Sequence, residues 1–250
     1  MASKKSFSLL SLLVLVFVVY SDINQCSVAA TASLKSPEKE ALLNWTGSLF
    51  QSQALNSWSL NVSLCNWTGI TCNGAKEAVT EINLPNYGLQ GTLDQLSFSS
   101  FQSLVRLNLT NNTLNGTIPS HIGALSRLTY LDLSKNQLLG NLPLSLANLT
   151  LISDFNISDS ILTGEISARL FANRSQIFSI RLARNRLTGE LPSEIGRLTN
   201  LSVLDLHTIA ALFFLLHCAT QDPGNDDSEL QQGKNRLSPL RNRLAWPILR

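Results

Sequence analysis

Apolar residues recur along the middle of the chain in a fixed order rather than in long runs. From Leu104, the segment LVRLNLTNNTLNGTIP alternates leucine with polar residues, leaves the alternation at Asn112 and closes on Gly116 and Pro119. The same order returns in RLTYLDLSKNQLLGNLP from Arg127 and in IFSIRLARNRLTGELP from Ile177. A version with losses, LISDFNISDSILTGEIS, starts at Leu151. Leu107, Leu131, Phe155, Ile180 and Leu204 hold equivalent places, at steps of 24, 24, 25 and 24 residues. Period-two alternation over so few residues predicts a short strand with its leucines inward. Asn112, Asn136 and Asn185 are expected to turn inward, where a side-chain amide satisfies backbone groups that an apolar residue would leave bare. Pro119, Pro143 and Pro192 fix the extended stretch that follows. A fainter copy, VTEINLPNYGLQGTL, runs over Val79–Leu93, and a sixth begins at Leu198 and stops at Leu206.

This is the leucine-rich-repeat period. One repeat cannot bury its own leucines, and stacking at least three makes a continuous core. The expected fold class is an α/β solenoid: a leucine-rich-repeat horseshoe or superhelix with a parallel inner sheet and a helical N-terminal cap. The fourth repeat is expected to be the least regular. There Phe155 replaces Leu, Ser160 stands at the Asn position, Ser167 replaces Pro, and an extra residue falls in the outer segment FANRSQ.

The segment before the repeats predicts the cap. Ser36-Pro37-Glu38 has the signature of a helix start, and Leu42, Leu43, Leu49 and Phe50 follow at roughly helical spacing. Terminal repeats expose an apolar end that needs covering. A helix with Trp58 and Trp67 packed beneath a small loop would cover it. Lys4 and Lys5 precede an apolar run from Phe7 to Tyr20, too short to span a bilayer and of signal-peptide length, with an uncleaved anchor as the competing reading. Ala30-Thr31-Ala32 fits a cleavage site, within a window of about 27–32. An oxidising lumen then favours a Cys65–Cys72 disulfide and leaves Cys218 over. Sequons stand at Asn44, Asn61, Asn66, Asn108, Asn111, Asn115, Asn148, Asn156, Asn173 and Asn200. The expected division is a signal peptide over 1–30, a cap over 33–78, repeats over 79–206 and a non-repeat tail over 207–250.

EALLNWTGSL, NSW and LCNWTGITC resemble the N-terminal cap of plant leucine-rich-repeat receptor-like kinases and receptor-like proteins. LNGTIP, LLGNLP and LTGELP match the plant extracellular repeat subtype, and the resemblance covers about residues 36–206. It implies ligand or co-receptor binding on the inner face, with glycans elsewhere. A spanning helix and a kinase domain are not recognisable after the repeats: there is neither a Gly-rich phosphate loop nor an H-R-D motif. The chain is therefore expected to be a non-enzymatic binding module.

After Leu206 the frame collapses. Residues 208–220 are apolar but short, 221–233 are polar and acidic, and 234–250 are basic. Joining His207 directly to Lys234 restores L-D-L-H-K-N-R-L-S-P, a good repeat start with Asn235 at the Asn position. Three readings stay open: an unspliced insertion, a frame-shifted tail and a terminal cap in which IAALFFLL covers the last repeat.

Net charge is +2, and residues 33–206 balance 12 Lys and Arg against 12 Asp and Glu, which argues against nucleic acid as a partner. Three His and four Cys at non-metal spacing leave little for a zinc site, and no small-molecule cofactor is expected. The frame places function on the strand residues flanking the leucines. They are Glu81 and Asn83; Arg106, Asn108, Thr110 and Asn111; Tyr130, Asp132, Ser134 and Lys135; Asp154, Asn156, Ser158 and Asp159; and Ser179, Arg181, Ala183 and Arg184. Arg106, Tyr130, Asp132, Lys135, Asp154, Arg181 and Arg184 are the expected contacts for an extracellular peptide or protein ligand or a co-receptor, bound by a monomer. Glycans at Asn108, Asn111 and Asn156 would obstruct that face. Asp132 and Asp154 stand on adjacent strands but have no pocket that would raise one pKa for catalysis. Leu131→Asp is expected to abolish secretion, and Asp132→Ala to leave folding intact. The receptor-ectodomain reading has two rivals: a short secreted protein acting as a decoy, co-receptor partner or wall-enzyme inhibitor, and a truncated product without function. Plasma-membrane localisation would follow from a fuller form, and the apoplast from the chain as written.

Overall fold

A computed structural model describes residues 36–50, 55–172 and 175–207. The expected signal peptide, the Asn173 sequon, the tail from 208 onward and its three readings lie outside the described residues. Two compact units divide the chain, Met1–Glu40 and Ala41–Arg250.

Helix α1 spans Pro37–Gly47. In the first unit, the Ser36 carbonyl accepts from the Glu40 N–H at 3.1 Å and its hydroxyl from the Lys39 N–H at 3.4 Å. A serine cap with proline at the first helical position starts the helix as its residues dictate. Within the second unit, Leu42, Trp45 and Leu49 are buried. Phe50 corrects the expectation: it lies past the helix end and is 78% exposed. Trp45 takes the buried role instead, its indole N–H donating to the Thr92 carbonyl at 2.9 Å.

Trp58 and Trp67 stack with ring centroids 5.2 Å apart, and Cys65 and Cys72 form a disulfide beside them. The segment then ends in strand β1 (Ile70–Cys72), which pairs antiparallel with β2 (Val79–Asn83). One strand at the start of each following coil extends the sheet: β4 (Arg106–Asn108), β6 (Tyr130–Asp132), β8 (Asp154–Asn156), β10 (Ser179–Arg181) and β12 (Val203–Asp205). The order is β1-β2-β4-β6-β8-β10-β12, parallel from β2 onward.

Register follows the repeat frame. Ile82, Leu107, Leu131, Phe155, Ile180 and Leu204 face one another in one row. Ile82, Leu107, Leu131 and Ile180 are fully buried and Phe155 nearly so. Burying a leucine or isoleucine stabilises by about 1.5–3 kcal/mol, so each coil gains only once its neighbours cover it.

The inward asparagines do the expected work. Asn136 donates to the carbonyls of Leu109 and Leu133, both at 3.0 Å, and accepts from the Leu114 N–H at 3.1 Å. Asn112 and Asn185 repeat the pattern one coil before and two coils after. The chain then crosses smaller sheets that the periodicity did not announce. These are β3 (Gln90–Gly91) with β5 (Thr113–Leu114), and β7 (Leu139–Gly140), β9 (Ile161–Glu165) and β11 (Arg186–Thr188). Gly164 shows why glycine sits there: its φ is +78°, and a Cβ would come within 2.4 Å of the Asn141 side chain. Each coil closes through a short 3-10 turn, such as Ser120–Ala124 and Leu144–Asn148.

Candidate binding surface

The row N-terminal to the buried leucines runs Glu81, Arg106, Tyr130, Asp154, Ser179, Val203 across β2, β4, β6, β8, β10 and β12. The row after them runs Asn83, Asn108, Asp132, Asn156, Arg181, Asp205. Period-two alternation puts both rows on the face away from the leucines.

Three contacts orient the charged side chains there. The Arg106 guanidinium lies 3.6 Å above the centre of the Tyr130 ring. Arg181 pairs with Asp154 at 3.4 Å, both side chains about one-third exposed. Arg184 grips Asp159 through two nitrogens, with Nη2 donating to Oδ2 at 2.7 Å, and its Nη1 lies 2.9 Å from the His207 ring. The Arg184 hydrogen bond holds the Asp159 carboxyl below the ordinary aspartate value of 3.8. The stabilisation is complete above that ordinary value and is lost as pH falls through the lower folded-state value. Burial first, then the neighbouring Asp132 charge, pushes the Tyr130 phenol up from 10.0, so it stays protonated and donates to Asp132 at 3.3 Å.

Asp132 departs from its expected role. It is 9% exposed and accepts from the Ser134 N–H at 2.9 Å, the Ser134 hydroxyl at 2.6 Å and Asn156 Nδ2 at 3.1 Å. It is a strut between β6 and β8 rather than a displayed ligand contact. Removing it leaves those donors bare, so Asp132→Ala is now expected to lower stability rather than to leave it unchanged. Asn108, Ser134, Ser158, Ser179 and Ala183 are likewise buried. Strand alternation assigns a face, but depth on that face comes from neighbouring coils. Lys135, Asp159 and Arg184 share a second feature, invisible to the pattern: a left-handed backbone, φ +53° to +57°. That conformation is uncommon for non-glycine residues.

Of the expected contacts, Arg106, Tyr130, Lys135, Asp154, Arg181 and Arg184 stay exposed or half-exposed. Among the described residues, no group of three or more His, Cys, Asp or Glu is placed to hold a metal ion. Also among them, no helix is long and apolar enough to cross a membrane.

The fold defines a leucine-rich-repeat module. Residues 35–73 match the leucine rich repeat N-terminal domain and residues 78–138 the leucine rich repeat. The chain is homologous to the ectodomains of plant leucine-rich-repeat receptor-like kinases. It is 41% identical over 91 residues to the LRR receptor-like serine/threonine-protein kinase RGI3 of Arabidopsis thaliana, covering 36% of this chain and 8% of that one. The ectodomain of the Arabidopsis receptor kinase HAESA, solved with an IDA peptide hormone ligand, superposes with TM-score 0.62 at 31% identity. That match covers 68% of this chain and 28% of HAESA's. The BIR2 ectodomain of Arabidopsis thaliana superposes with TM-score 0.59 at 28% identity, over 70% of this chain and 96% of BIR2's. The chain spans between 8% and 18% of the length of curated relatives such as RGI3.

Proposed function

We propose that this chain is an extracellular protein- or peptide-binding module whose ligand lies across the exposed sheet face, touching Arg106, Tyr130, Lys135, Asp154, Arg181 and Arg184. One observation carries the reading: this face holds cationic side chains already oriented by Tyr130, Asp154 and Asp159. Pre-ordered charged groups spend less entropy on binding and suit polar, charge-assisted contacts. HAESA, solved with a peptide hormone, supports a peptide as ligand class.

The matches to nearly all of the BIR2 ectodomain and to nearly all of one chain of the BIR3–SERK2 complex favour a second reading, in which few repeats suffice and the partner is another protein chain. Sequencing transcripts across the codons for 195–250 separates the readings. Transcripts that skip 208–233 and continue into further repeats support a larger receptor. Transcripts that run contiguously and stop after Arg250 support the short form. The binding claim is tested by exposing the secreted chain and its Arg106→Ala/Arg181→Ala/Arg184→Ala variant to apoplastic peptides. Peptides held by the first and lost by the second, at equal Tm, support it. Identical retention refutes it.

A further inference from the structure

Two of the ten sequons coincide with a turn that recurs at the ends of β4, β6, β8 and β12. Asn108 Oδ1 accepts from the Thr110 N–H at 3.2 Å, and Asn156 Oδ1 from the Ser158 N–H at 3.1 Å. Asp132 makes the same bond to the Ser134 N–H at 2.9 Å, and Asp205 to the His207 N–H at 3.4 Å. Each is a side-chain oxygen closing a turn on the backbone two residues on, a role Asn and Asp fill equally. Where the position holds Asn and the receiving residue is Thr or Ser, the turn spells N-x-[ST] by coincidence.

The amide nitrogens of these two asparagines are committed as well. Asn108 is 8% exposed, and its Nδ2 donates to Asn83 Oδ1 at 2.8 Å. Asn156 Nδ2 donates to Asp132 Oδ2 at 3.1 Å and to Ser134 Oγ at 3.2 Å, both on the preceding coil. N-glycosylation replaces one amide hydrogen with a sugar carbon. On Asn156 that would remove a cross-strand bond and force a saccharide between β6 and β8. Asn148, by contrast, is exposed at the end of its 3-10 turn, and Asn44, Asn61 and Asn66 are exposed as well.

We infer that Asn108-Leu109-Thr110 and Asn156-Ile157-Ser158 are turn motifs that carry no glycan in the folded protein, and that Asn148 is a glycan site. The inference rests on the extracellular reading and is independent of any ligand. The sheet face around Tyr130, Asp154 and Arg181 is then clear of sugar at these two positions. Sugar added to the unfolded chain at either asparagine would block the ladder, so such chains are absent from the folded fraction.

The test is intact-mass and glycopeptide analysis of the full chain, secreted from plant cells and purified as a folded species. Ser158→Ala removes the Asn156 sequon without costing a hydrogen bond, because the Ser158 hydroxyl is buried with no partner. Asn108→Asp removes the other and keeps the turn acceptor. Thr150→Ala removes the Asn148 sequon. The expected result is unchanged glycan mass for the first two and loss of one glycan for the third. A glycopeptide at Asn108 or Asn156, or a glycan lost in Ser158→Ala or Asn108→Asp, overturns the turn assignment. A secreted, folded chain without a glycan at Asn148 overturns that assignment, and a chain that never reaches the medium overturns the extracellular reading instead.

Discussion

The third and fourth coils stand side by side, share register and differ at three frame positions, so each substitution can be judged against its neighbour. Asn136 in the third coil satisfies two carbonyls and an N–H. Ser160, its counterpart, is too short for that span, and its hydroxyl is buried with no partner. Phe155 fills the core position of Leu131, and a small apolar cavity lies beside it, lined by Leu146, Phe155, Leu170, Phe171, Ile177 and Leu182. Ser167 replaces Pro yet keeps the proline conformation: φ −68°, ψ 136°, against −69° and 137° at Pro143. The Asn position is thus dictated by hydrogen-bond demand. The Pro position is dictated by backbone shape, which other residues can also adopt.

The largest expected effect is Leu131→Asp, which puts an unpaired charge in the core row and costs on the order of 4 kcal/mol or more. No folded protein should reach the medium, as a blot of secreted against retained chain would show. Asn136→Ser imposes the fourth coil's defect on the third and should lower stability by about 2–3 kcal/mol, measured by thermal melting. A Tm within error of wild type would mean that the asparagine row is decorative. Asp132→Ala should cost about 1–3 kcal/mol by stranding Ser134 and Asn156. Refolding with an unchanged denaturation midpoint would restore Asp132 to the displayed surface. Ser160→Asn is the converse repair and should gain about 1 kcal/mol, read as a raised urea midpoint at constant slope. The smallest effect is Ser167→Pro, a gain of about 0.4–1 kcal/mol because the native dihedrals already suit proline. A loss there would show that the Ser167–Arg169 contact matters more than the backbone restriction.

What the bare chain made legible was whatever one coil repeats. The leucine row, the inward asparagines and the parallel register follow from a spacing of 24 that places like beside like. The smaller sheets were not legible: Leu139–Gly140 and Gln90–Gly91 are too short to show alternation and form only because stacked coils bring them together. Strand β1 is three residues long, too short for alternation to mark it, and Trp45 lies outside the apolar series Leu42, Leu43, Leu49 and Phe50 that marks the helix. On the binding face, position could be read but occupancy could not. Asp132 and Asn156 are 24 residues apart, and their bond exists only across the finished sheet. The left-handed backbone at Lys135 and Arg184 had no signal either, since neither residue advertises a positive φ.

The shared register also bears on inheritance. Because each coil presents its successor with nearly the same apolar row, from Ile82 through Leu107, Leu131, Phe155 and Ile180 to Leu204, losing or duplicating one whole coil makes a junction much like those already present. Gene length can drift in whole-coil steps at little structural penalty, whereas a shift of a few residues breaks every ladder downstream. Lineages built this way diversify by counting coils, and each count slides a different set of side chains into the path of whatever the surface meets.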